Sequence, residues 1–111
     1  MIRRTLAATL LLAPGALLAN DYPTVDRVQY VLECMKNHDG KYEYVYKCSC
    51  VIDAIAGKMP YDSYVEATSV ARYSTMGGER MNLFRDSDQM RALTKKWKSV
   101  EAEANKACFI E

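Results

Sequence analysis

The sequence predicts an all-α fold, a small disulfide-stapled bundle of about four helices that follows a signal peptide. Three observations lead there. Apolar residues recur at three- and four-residue steps in several segments. Four cysteines stand in a chain of 111 residues that opens like an exported protein. No run of alternating residues has a second run to pair with, as a sheet would need.

Residues 1–19 carry Arg3 and Arg4, then an apolar run from Leu6 to Leu18 interrupted by Thr9, Pro14 and Gly15, and end on the small Ala19. This is the three-part pattern of a secretory signal cut after Ala19. The apolar run is too short for a spanning helix and is broken by Pro14 and Gly15. The domain expected after cleavage is 20–111, a single helical unit. Loss of two arginines turns the formal charge of +1 into −1. A near-neutral chain excludes a strongly basic nucleic-acid binder and a polyelectrolyte tail.

Over Pro23 to His38, Val25, Val28, Leu32 and Met35 share one helical stripe, with Thr24 and Asp26 near the start. Asn37-His38-Asp39-Gly40 then supplies turn chemistry. A second helix places Tyr44, Cys48, Ile52 and Ile55 on one face, with Val45 and Val51 beside them and Gly57 as its stop. Tyr42 to Tyr46 alternates like a strand but lacks a partner, so it is read as the start of this helix. A third helix begins at Pro60 and runs to Arg72 with a thin apolar face of Tyr61, Val65 and Ala71, flanked by Tyr64 and Val70. Residues 74–87 are polar, contain Gly77-Gly78 and read as a long loop. The last helix, capped by Asp86 or Ser87, carries Met90, Leu93, Trp97, Val100, Ala104 and Cys108 on one stripe, and Lys95, Lys96, Lys98, Glu101 and Glu103 outward.

The helical reading selects a cysteine pairing. Cys34 lies six residues before Gly40 and faces the region of Tyr46 to Cys48 in an antiparallel hairpin. Cys50 points about 200° away from Cys48 around the helix. The expected disulfides are therefore Cys34–Cys48 and Cys50–Cys108. A Cys₄ zinc site is the rival, but its ligands are normally paired at tighter spacing.

Catalytic machinery is not visible. His38 is the single histidine and is read as a solvated turn residue. There is no Cys-x-x-Cys, no haem-attachment motif, no phosphate loop and no EF-hand. No covalently bound cofactor is expected. The carboxylates give a lead: Asp62 and Glu66 are four apart on the third helix, and Glu79 and Asp86 sit in the loop that follows. If the loop folds back, the four form an oxygen-rich site for a hard cation, a lanthanide or calcium. The same residues can instead serve as helix-dipole partners and as ion-pair partners of Arg72, Arg80 or Arg85. Eight tyrosines and one tryptophan also suit a partner-binding surface, although most should fill a core poor in Leu and Phe.

Val-Leu-Glu-Cys34-Met, Tyr46-Lys-Cys-Ser-Cys50, Tyr61-Asp-Ser-Tyr-Val-Glu-Ala67, Gly78-Glu-Arg80, Leu83-Phe-Arg-Asp86 and the terminal Cys108-Phe109 together resemble a family of small four-cysteine exported proteins. These are encoded beside pyrroloquinoline-quinone (PQQ) alcohol dehydrogenases and c-type cytochromes in methylotrophic bacteria. A further similarity is to periplasmic lanthanide chaperones of the LanD type, which implies a carboxylate site and metal-centred dimers. The four carboxylates above come from spacing and are not carried over from that similarity. The resemblance implies a non-enzymatic periplasmic accessory protein for quinoprotein alcohol oxidation. It would act as a metal-trafficking module, or as a partner of the dehydrogenase, its cytochrome or a second copy of itself, with no nucleic acid and no membrane involved.

Overall fold

A computed structural model describes residues 21–73 and 87–111. The expected signal peptide, and the loop with Gly77-Gly78, Glu79 and Asp86, lie outside the described residues. Within them the chain forms four helices and no strand: α1 Thr24–Lys36, α2 Glu43–Lys58, α3 Tyr61–Tyr73 and α4 Asp88–Ala107. Helix α2 is the centre, packed against α1 on one side and α4 on the other, while α3 packs on α4.

The helix ends follow local chemistry. Asp39 and Gly40 take positive φ in the turn after α1, where short polar side chains and glycine are least strained. Gly57 was expected to stop α2, yet the helix passes through it. The stop is two residues further on, where Met59 turns extended at φ −141°, ψ 129°, the conformation that the ring of Pro60 imposes on its predecessor. Ser87 caps α4 by accepting from the backbone N–H of Met90 at 3.2 Å, which satisfies one orphan donor of the first turn.

Cys48, Val51, Ile52 and Ile55 of α2 are fully enclosed, and Trp97 and Ala104 of α4 meet them, with Cys108 just after its end. Both disulfides close, Cys34–Cys48 and Cys50–Cys108, so the centre of the bundle is covalent as well as apolar. The outer helices depart from expectation. Helix α3 buries Tyr64, Ala67 and Val70, and Val65 faces outward at 40% exposure. Helix α1 buries no residue fully. Its stripe of Val25, Val28 and Leu32 stays 70, 50 and 61% exposed, and Tyr30, Val31, Cys34 and Met35 are the positions that touch the core. Its hold on the bundle comes from the Cys34–Cys48 bridge, the Arg27–Asp53 ion pair at 2.6 Å and Tyr30, whose hydroxyl donates to Glu101.

Candidate functional site

Of the four expected cation ligands, Asp62 and Glu66 are described. Both are exposed on α3, one turn apart, and Asp62 lies in the first turn, where a negative charge meets the positive end of the helix dipole. Glu79 and Asp86 are outside the described residues. Among the described residues no three His, Cys, Asp or Glu side chains come together as a metal-binding group. Arg72, an expected partner for the loop carboxylates, stands 3.4 Å from Glu33.

His38 is not the solvated turn residue expected. It is half-buried, its Nδ1 lies 2.8 Å from the carbonyl oxygen of Cys34, and its ring stacks on Tyr44 at 4.4 Å. It thus locks the turn onto α2. Glu101, expected on the outer face of α4, turns inward instead to accept the Tyr30 hydroxyl at 2.9 Å.

Two concave features lie on opposite faces of α1. Taking 100° per residue, Val28, Val31, Leu32 and Met35 fall on one side of the helix and Asp26, Gln29, Tyr30 and Glu33 on the other. The first side, with Val45 and Ile52 of α2, lines an apolar groove of about 420 Å³, and the Arg27–Asp53 pair sits at its end. Near the start of α2, Tyr42 and Tyr46 are exposed, with their rings edge to face at 5.9 Å.

The second side faces α3 and α4 across three adjoining cavities of about 240, 140 and 430 Å³ that share Tyr30 and Glu33. Tyr61 donates to Asp26, and this bond to a carboxylate raises its pKa. Tyr64 is pushed up to about 12, first by burial and then by the nearby carboxylate charges of Asp26, Glu33 and Glu101. Tyr30 is raised too, by burial above all and then by Glu101. These phenols therefore stay neutral donors at any ordinary pH.

Sequence reasoning passed over this cleft. Asp26 read only as a residue near the start of a helix, and Glu101 as one on the outer face of the last, because nothing in a helical period says that a polar stripe will face a neighbour. Tyr22 was missed as well. It is buried at the end of the bundle, donates to the Met59 carbonyl at 2.8 Å and packs against Tyr61 and Tyr64, yet it stands alone in an irregular stretch. No protein family, characterised protein or solved structure matches the chain. No helix among the described residues is long and apolar enough to cross a membrane, and two disulfides fit an oxidising compartment.

Proposed function

We propose that the chain is a non-catalytic periplasmic accessory protein of quinoprotein alcohol oxidation that works by docking on a larger partner, the dehydrogenase or its cytochrome. The observation that carries this reading is the apolar groove between α1 and α2 beside the uncovered stripe of Val25, Val28 and Leu32. A helix that turns its apolar stripe away from its own core keeps that surface for something else, since a small domain gains by covering it. The occupant that fits is an amphipathic helix of the partner. The groove runs over eight residues of α1, roughly 12 Å or two helical turns at 1.5 Å per residue, and two facing helices offer ridges between which a third can lie. The link to alcohol oxidation and to the periplasm rests on the sequence resemblance and the export signal.

The test is calorimetry of the mature protein against a purified PQQ alcohol dehydrogenase and against its cytochrome, with wild type and with Val28→Asp plus Leu32→Glu. Both positions are exposed, so the double variant should fold and lose at least about tenfold in affinity, the scale expected for central interface residues. Wild-type and variant binding of equal strength, or no binding to either partner, defeats the reading.

A metal-trafficking role is the second reading, favoured by Asp62 and Glu66 lying exposed on one face of α3. It predicts heat on titration with lanthanum that exceeds that with calcium, and loss of the heat in Asp62→Asn with Glu66→Gln.

A further inference from the structure

Helix α4 carries its charge unevenly. Taking 100° and 1.5 Å per residue, Arg91, Lys95, Lys98 and Lys106 fall within an arc of about 80° that extends over roughly 22 Å of the helix. All four are exposed, and so is Lys96 beside them. Ala92, Ser99 and Ala102 stand exposed between them, so nothing bulky rises among the lysine stems. The acids of this helix are already engaged. Asp88 pairs with Arg91 at 2.9 Å, Glu103 with Lys58 at 2.7 Å, and Glu101 accepts the Tyr30 hydroxyl. Among the described residues, Lys95, Lys96, Lys98 and Lys106 have no ion-pair partner.

Arg91 and Lys95 are four residues apart and Lys95 and Lys98 three, spacings at which like charges repel and weaken a helix. A face meant only for water would gain from glutamate at Ala92, Ser99 or Ala102, each three or four residues from one of these lysines. The chain places none there. The face therefore suits a partner that brings the carboxylates itself. A lipid surface would also take up apolar side chains, and over its length α4 turns none larger than alanine fully outward. A protein surface needs only the opposed charge, and the small side chains allow it a close approach. We propose that the outer face of α4 is a docking surface for the acidic surface of a partner protein, with Lys95, Lys98 and Lys106 as its charge contacts and Ala92, Ser99 and Ala102 as its floor. This face is distinct from the apolar groove between α1 and α2 and does not depend on that reading.

The experiment titrates the mature protein with a poly-glutamate peptide, as the acidic surface, and follows calorimetry and amide chemical shifts. Shifts should concentrate on α4, and binding should weaken as salt is raised, because exposed charges are screened. Lys95→Glu with Lys98→Glu should lose at least about tenfold in affinity, since it turns attraction into repulsion at the middle of the face. Lys36→Glu with Lys41→Glu makes the same change in net charge at the end of α1 and the turn after it, and should stay within about twofold of wild type. Thermal stability of both variants is checked first. If the α4 variant is unstable, Lys95→Gln with Lys98→Gln takes its place and should show a loss of severalfold. No binding of poly-glutamate, shifts centred on another helix, or equal losses in the α1 and α4 variants each overturns the proposal. Tighter binding to phosphatidylglycerol vesicles than to poly-glutamate, lost in the same α4 variant, would make the face a lipid-binding one and overturn it too.

Discussion

Ile55 and Leu32 are both branched aliphatic residues on helical apolar stripes, yet their surroundings differ completely. Ile55 is fully enclosed at the centre of the bundle and Leu32 is 61% exposed. Replacing Ile55 by Ala should therefore cost about 3 kcal/mol, as lost transfer energy and a residual cavity combine. Leu32→Ala should cost under about 1 kcal/mol, because most of that side chain already meets water. Urea unfolding of the two variants checks both, and a Leu32→Ala loss as large as that of Ile55→Ala would place α1's stripe inside the core. The same contrast explains why periodicity identified the helices but not the sides they bury. A stripe reports that a surface is apolar, and cannot distinguish a surface covered by this chain from one left open.

At the scale of elements, the two inner helices were legible and the two outer ones only in part. The face of Cys48, Ile52 and Ile55 on α2 and that of Trp97 and Ala104 on α4, with Cys108 just after it, are buried as their spacing predicts, and the hairpin register together with the opposed directions of Cys48 and Cys50 paired the cysteines. The end of α2 was misplaced because a helical glycine is tolerated at a cost of about 1 kcal/mol, whereas the residue before a proline is nearly obliged to leave the helix. The cleft was illegible because it arises from the packing of three helices that are distant in sequence. Helix α1 is the element most dependent on covalent support, for it contributes no fully buried side chain. Removing the Cys34–Cys48 bridge, which closes a separation of 14 residues, should cost about 3 kcal/mol. The double variant Cys34→Ala with Cys48→Ala should show fast amide exchange throughout α1 while α2 and α4 stay protected. Uniform loss of protection would mean that α1 is part of the cooperative core.

Over the whole molecule, the phenols of Tyr22, Tyr30 and Tyr64 connect the irregular start, α1 and α3 in one pH response. Burial pushes Tyr22 and Tyr64 up to about 12 and raises Tyr30 as well, while in the unfolded chain each titrates near the ordinary value of about 10. The folded state thus holds these protons more tightly, so its stability is level below about pH 10 and falls as pH climbs from there toward 12. The urea midpoint should follow that course, and Tyr30→Phe should lessen the alkaline fall. A midpoint indifferent to pH between 9 and 11.5 would contradict the buried placement of these rings. A last consequence concerns force. The bridges anchor at Cys48 and Cys50, with only Ser49 between them, and reach Cys34 and Cys108. Tension applied across those outer cysteines would run through two sulfur links and three residues of α2, and the 58-residue separation between Cys50 and Cys108, α3 included, would carry no load. For the same reason a protease that cuts the backbone once inside that span would release no fragment, because both pieces stay joined at the middle of α2.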